Sequence, residues 1–374
     1  MKKKKRILVT VSNDLATDNR VDKVCTFLHQ HNFEVLLIGA KRKNRLPLTT
    51  RSYATKRITM WFDAGAFFYA ELNIRLLFTL LFRRSTHILA NDLDTLLAAY
   101  IASKLKCNKL IYDTHEYFTE VPELTNRPRI KRIWERIEKW IFPKVHHVYT
   151  VNESIAKRYA EKYQRKVFVV RNVSRKWNPT HIQPKEELGI PENCQLLIVQ
   201  GAGIHIDRGI EEVVEAMKYT QGLVLMIVGD GDVIPQLKNY VTHEKLSDKV
   251  RFYGKRPYAE MMQYTHYADI GLTLDKDTNL NYRFSLPNKV FDYIHASTPV
   301  ISSDLPEIRK VITQFDVGTF IPSHNPNELG AFLMQVCANK AQLAQWKSNC
   351  HHAASVLCWE NEEQTLHEIY TCEK

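Results

Sequence analysis

The sequence predicts an α/β protein made of two Rossmann-like, doubly wound domains that face a central cleft. Three observations carry this. The chain has 374 residues, 44% hydrophobic and 25% charged, a globular balance and more chain than one ordinary core accommodates. Short β-branched runs alternate with helical stretches of ten or more residues, the pattern of parallel sheets covered on both faces. The alternation lapses over 174–191, where Asn178-Pro179, Pro184, Gly189 and Pro191 leave no periodic run. A first domain over 1–175 and a second over 192–352 follow.

The first domain reads RILVTVS (6–12) as a buried strand, then a helix with Val21, Val24 and Leu28 on one face. FEVLLIGA (33–40), HILAND (87–92), KLIYDTH (109–115), HHVYTVN (146–152) and VFVVRN (167–172) are the next strands. The second domain repeats the theme with QLLIVQG (195–201), LVLMIVGDG (223–231), VRFYG (250–254), DIGLTLD (269–275) and PVISSD (299–304). A last helix, CWENEEQTLHEIY (358–370), carries a sparse apolar stripe of Trp359, Leu366, Ile369 and Tyr370. It fits a helix returning to the first domain and an ordinary terminal helix alike.

Charge separates the halves. Residues 1–175 hold 34 Lys and Arg against 16 Asp and Glu, a net of +18, while residues 176–374 hold 18 against 25, a net of −7. A basic half suits an acidic partner, whether nucleic acid, anionic lipid or a phosphorylated substrate. MKKKKRILVTVS has no small-residue cleavage site, and no run reaches the ~18 apolar residues of a spanning helix. The seven scattered cysteines lack CxxC spacing, which points to a reducing cytoplasm and no structural zinc.

Doubly wound sheets bind ligands outside the carboxyl ends of their strands. In the turn GAGIHIDRGIEEVVEAM (201–217), position 206 is Ile, so the dinucleotide fingerprint fails. Gly201 and Gly203, then Arg208-Gly209 at a helix start, suit phosphate oxygens or simply a tight turn. In GDGD, Gly229 and Gly231 allow close approach of a ligand, and Asp232 caps a helix or joins Asp230 at a metal. Gly254 and Lys255 sit past another strand and suit a nucleobase at the sheet rim. The stretch SLPNKVFDYIHASTPVI (285–301) starts a helix at Leu286-Pro287. Ser285, Leu286, Pro287 and Asn288 frame its open N–H groups, and Val290, Phe291 and Ile294 form its buried face. Asp292 is placed either to accept from a ribose diol or to meet Lys289 or solvent.

In the first domain Asp14, Asp18 and Arg20 follow the first strand, with Asp18 read as a helix cap. His115 and Glu116 follow another strand, as an acid–base pair or with His115 purely structural. The aromatic, leucine-rich and arginine-bearing run 67–89 reads as a core helix or as a basic surface touching a membrane, with Lys2–Lys5 adding attraction.

Taken together, NDLATDNRV, NDLDTLLAAYIASKL, YDTHEYFTEVPEL, VNESIAKRY, DRGIEEVVEAM and SLPNKVFDYIHASTPVISSD resemble the nucleotide-sugar glycosyltransferases of GT-B fold, family 4. The resemblance covers nearly the whole chain. It implies a retaining transferase that moves a sugar from a nucleoside-diphosphate sugar to a hydroxyl of a saccharide or lipid-linked saccharide, in surface polysaccharide or glycolipid synthesis. It implies no metal and no cofactor beyond the nucleotide sugar. The donor then lies on the second domain, with Arg208 at the family's phosphate-binding cation, Asp292 at its ribose-binding acid and His115 near the donor sugar. Asp14, Arg20 and Glu116 fall on the acceptor side, and the Trp359 helix looks like the family's returning helix. Three positions depart from the family: Phe284 stands for the first acid of its E-x7-E motif, Gly203 for an Arg, and no glycine pair follows strand one. A diphosphate needs a second cation, and Lys289 is the first choice before Lys255 or Arg283. The protein is expected in the cytoplasm, peripheral at an anionic inner membrane face. An epimerase of similar fold is the main alternative. A nucleic-acid partner is not expected, since no aromatic–basic repeat is present.

Overall fold

The computed structural model describes residues 5–13, 15–16, 18–41, 47–48, 50–125 and 127–371. Asp14 and Lys2–Lys4 lie outside the described residues. The chain divides into two compact units, Met1–Arg171 with Glu363–Lys374, and Asn172–Glu362.

The first unit is a seven-stranded parallel sheet. Its strands are β1 (Lys5–Thr10), β2 (Phe33–Lys41), β3 (Ala54–Thr59), β4 (His87–Asn91), β5 (Lys109–Thr114), β6 (His147–Thr150) and β7 (Phe168–Val169), in the order β3-β2-β1-β4-β5-β6-β7. The second is six-stranded: β8 (Gln195–Gly201), β9 (Leu223–Gly229), β10 (Val250–Phe252), β11 (Ile270–Thr273), β12 (Val300–Ser302) and β13 (Gly318–Phe320), in the order β10-β9-β8-β11-β12-β13. Both orders reverse once, at β1/β4 and at β8/β11. Such reversals leave the crevice in which doubly wound folds take ligands.

The buried β-branched and leucine runs behave as the sequence predicts. Ile7, Val9, Ile88 and Ile111 are buried in the first sheet, and Leu197, Leu225, Ile270 and Ile301 in the second. Asp18 caps the helix Asn19–Gln30 by accepting from the Val21 N–H at 3.0 Å. Two strands have no counterpart in the sequence reading. β3 is ATKRIT and β13 is GTF, both at sheet edges. Edge strands are short or charged, so the apolar signature that marks interior strands is missing.

The helix Asn288–His295 sits on β11 through Tyr293. The Tyr293 hydroxyl donates to the carbonyls of Leu272 (3.0 Å) and Ile198 (3.3 Å). Its ring lies against Gly271, where a Cβ would stand 2.4 Å from Tyr293 Cγ. Pro287 is the N-cap with ψ 139°, not the first helical residue. Its extended backbone moves the start one residue beyond the predicted one.

The final helix, Trp359–Thr371, belongs to both units. The Trp359 N–H donates to the Ser174 carbonyl at 2.9 Å within the second unit. Further along, Tyr370 is buried in the first unit, its hydroxyl 3.3 Å from that of Tyr149 and its ring edge-on to Phe33.

Candidate functional site

Each unit gathers polar side chains at the reversal of its own sheet. In the second unit, the loop after β8 brings Arg208 beside the residue that ends β11's run. Arg208 Nη1 donates to Asp275 Oδ2 at 2.7 Å, and the guanidinium lies 4.2 Å from the centre of the Tyr282 ring. Burial works against the Arg208 charge, but Asp275 outweighs it and holds the group above its ordinary value. Burial holds the half-buried Lys289 ammonium below its usual range, with Asp275 opposing and Arg208 adding. Arg208 is thus paired with Asp275, and Lys289 lies within the field of both. Around them, Arg208 Nε, Asp275 Oδ1, Thr273 Oγ1 and Ser302 Oγ are buried without a hydrogen-bond partner. Thr273 and Ser302 face each other in the β11–β12 register. Unpaired buried polar atoms are uncommon and mark places where a polar ligand completes the bonding.

Arg208 is presented by Gly209, which caps the helix Ile210–Ala216 at φ 71°. A Cβ there would stand 2.3 Å from the Leu274 carbonyl oxygen, so only glycine lets the turn close this tightly against β11.

Several sequence assignments take a different form. Gly229 and Gly231 admit backbone, not ligand: a Cβ on them would stand 1.9 Å from the Gly201 oxygen and 1.8 Å from the Ile204 oxygen. Asp232 does not cap the following helix, whose N-cap is Val233; it pairs with His205 Nδ1 at 2.9 Å. Gly201 ends β8, paired with Gly229, and Gly203, Gly254 and Lys255 lie on exposed loops. Ser285 Oγ donates to the Tyr282 carbonyl at 2.8 Å, and Leu286, Pro287 and Asn288 lead into the helix.

Asp292 is neither solvated nor paired with Lys289. It is buried and accepts from Ser174 Oγ at 2.5 Å, Tyr258 OH at 2.7 Å and Gln200 Nε2 at 3.2 Å. The three donors lie 118, 34 and 92 residues away, which no local pattern reveals.

In the first unit, His115 is the centre. Its Nδ1 is 3.2 Å from Asp92 Oδ2, and its Nε2 is 3.2 Å from both Asp113 Oδ2 and Asn91 Oδ1. Both ring nitrogens face acceptors, the arrangement that suits an imidazolium, which donates from both. Burial disfavours that charge, but Asp92 and Asp113 overcome it and push His115 up to about 10. Burial lifts the Asp92 carboxyl to about 7 against the pull of His115. Asp92 also accepts from the His115 N–H at 2.8 Å and holds φ 58°, ψ 166°. That backbone region is almost confined to glycine, and strain of this kind concentrates at functional positions.

Arg20, expected on the acceptor side, turns inward to a carboxylate of its own unit. It is buried, chelates Asp113 through Nη2 at 2.8 Å and Nε at 3.0 Å, and gives Nη1 to the Val170 carbonyl at 2.8 Å. Burying a guanidinium demands such a partner, and Asp113 supplies it. The Glu116 carbonyl accepts from Thr114 Oγ1 at 2.7 Å. Sequence reasoning missed Asn91, Asp92, Asp113 and Asp275. Each lies at or just past the carboxyl end of a strand, and that position was the available signal.

Comparison with known proteins agrees with the two-unit parallel fold. Residues 18–173 match the model of Glycosyltransferase Family 4, and residues 183–352 that of Glycosyl transferases group 1. A curated relative, the amylovoran biosynthesis glycosyltransferase AmsK of Erwinia amylovora, is 26% identical over 160 residues, 42% of this chain. The matched region spans 35% of that relative's length. Among solved structures, sucrose-phosphate synthase from Thermosynechococcus elongatus superposes with a TM-score of 0.77 at 16% identity, covering 98% of each chain. HepE of Anabaena, solved with UDP and glucose, gives 0.75 at 14% identity over 99% of this chain and 100% of its own. WaaG, a glycosyltransferase involved in lipopolysaccharide biosynthesis, gives 0.72 at 13%, covering 98% and 100%.

Proposed function

We propose that this chain, which belongs to the glycosyltransferases of GT-B type, moves a sugar from a nucleoside-diphosphate sugar to an acceptor hydroxyl with retained configuration. The observation that carries the reading is the Arg208–Asp275 pair with the unpaired polar atoms around it at the β8/β11 reversal; Lys289, at the start of the helix Asn288–His295, is the second cation we assign. A diphosphate brings at least two negative charges, and two fixed cations stabilise it as it leaves. Asp275 holds the Arg208 guanidinium in place. Uridine is the favoured base, because HepE was solved with UDP and with UDP-glucose.

His115, held as a cation between carboxylates, donates to oxygen and serves in positioning the sugar. Asp292 takes the ribose hydroxyls by exchanging them for the Ser174 or Tyr258 hydroxyl. The acceptor is a saccharide or lipid-linked saccharide of a surface polysaccharide, met at the cytoplasmic face of a membrane. Among the described residues no helix is long and apolar enough to cross one.

Arg208→Ala tests the reading. Transfer should fall by about two to three orders of magnitude, and the rise in melting temperature with UDP should shrink. Loss of the Asp275 partner also lowers the melting temperature without nucleotide, so Arg208→Ala/Asp275→Asn, which removes the stranded charge, should recover that melting temperature and not the UDP shift. Near-normal turnover would remove Arg208 from the phosphate site. Conversion of the donor sugar without any acceptor would identify an epimerase instead.

A further inference from the structure

The helix Gly65–Leu81 is apolar on two opposite sides. Phe68, Leu72, Leu76 and Leu80 are buried against the first unit. The other side presents Phe67 (72% exposed), Ile74 and Phe78 (both 56%), and Phe82 (83%) just past the helix end. A helix inside a soluble surface normally turns polar residues outward, and a ridge of this kind marks an interaction face. The ridge is held in place. Glu71 accepts from the Trp61 and Phe62 N–H groups at 3.0 and 3.1 Å and from Arg75 Nε at 2.6 Å. Arg75 lies over the Trp61 ring at 4.5 Å, and Phe62 stacks on Phe67 at 5.4 Å.

The far end of the ridge leads to a recess of about 410 Å³. Ser85, three residues past Phe82, accepts from Asn108 in its wall at 2.6 Å. Lys104, Lys109, Lys144, His146 and Arg165 also line it, and no carboxylate does. Lys144 lies over the half-exposed Trp140 ring at 5.1 Å, so aromatic and cationic groups adjoin here too. Neither recess nor ridge belongs to the clusters at the sheet reversals.

We propose that this face docks on an anionic phospholipid bilayer, the aromatic ridge entering the apolar boundary and the recess receiving lipid phosphates. Charge complementarity decides the occupant: apolar contact plus basic flanks is the combination that binds anionic interfaces. A second copy of the chain would bring the same cations into opposition. The inference deepens the membrane-contact part of the proposed function and stands apart from the transfer chemistry.

The test is flotation of the full chain with vesicles of phosphatidylcholine alone or mixed with phosphatidylglycerol, with the UDP-dependent melting shift measured in parallel. The expected result is binding to the mixed vesicles and little to the neutral ones. Phe67→Ser/Phe78→Ser/Phe82→Ser should lower binding at least tenfold, as should Lys104→Gln/Lys144→Gln, at roughly fivefold per cation. Both variants should keep the UDP shift, since their side chains are exposed and far along the chain from Arg208. Equal binding to both vesicle types, or unchanged binding in the ridge variant, overturns the proposal. So does a dimer that the ridge variant dissociates, or oligonucleotide binding in place of vesicle binding. Loss of the UDP shift in the unmodified chain would instead overturn the nucleotide reading and leave this one standing.

Discussion

Asp92→Asn keeps the side-chain volume and removes one of the two carboxylates that hold His115. Each stands 3.2 Å from a ring nitrogen. Together they outweigh burial and raise the imidazole from 6.5 to about 10. Asp92 is the foremost of the charges that oppose burial, so the variant's His115 should titrate below that of the unmodified protein. Carbon-13-labelled histidine followed by NMR reads this directly, with His115→Gln identifying the resonance. Stability gives a second readout. A raised histidine contributes stability that is fully present below 6.5 and lost as pH rises through about 10. Asp92, raised from 3.8 to about 7, removes stability as pH rises through that lower window. Between about 7 and 10, urea denaturation should therefore show stability falling through His115, with the fall completed earlier in Asp92→Asn. A His115 that titrates near its ordinary value in the unmodified protein, or that does not move in the variant, would refute the reasoning.

Two further outcomes follow from the packing. Arg20→Met strands Asp113 as a buried charge and should cost about 3–5 kcal/mol in urea denaturation, with much of it restored by adding Asp113→Asn. Gly209→Ala sets a methyl against the Leu274 carbonyl at φ 71°. It should lower stability by more than about 1 kcal/mol and shrink the UDP melting shift, because the turn that presents Arg208 must open.

The interior strands were legible because buried parallel strands are continuous apolar runs, and Arg208 and His115 because they follow such runs. The edge strands β3 and β13 gave no such run. The assignments that changed share one cause. Arg20 looks like a surface arginine after a strand until Asp113, 93 residues later, is brought beneath it. Asp292 looks like an exposed acid at a helix start until Ser174, Gln200 and Tyr258 close over it. Local spacing locates a side chain along its own element; the partner that decides its role arrives through topology.

The final helix has a consequence for synthesis. The first unit is completed by residues 363–371, made only after the whole of Asn172–Glu362. At ~5–20 residues per second, that interval lasts on the order of ten to forty seconds. Throughout it the surfaces around Phe33 and Tyr149 lack the Tyr370 that covers them. The second unit has all its strands before then, so it can be folded on the ribosome while its predecessor waits for closure. An incomplete chain released in that interval would carry one finished body and one open core, the kind of species that chaperones hold.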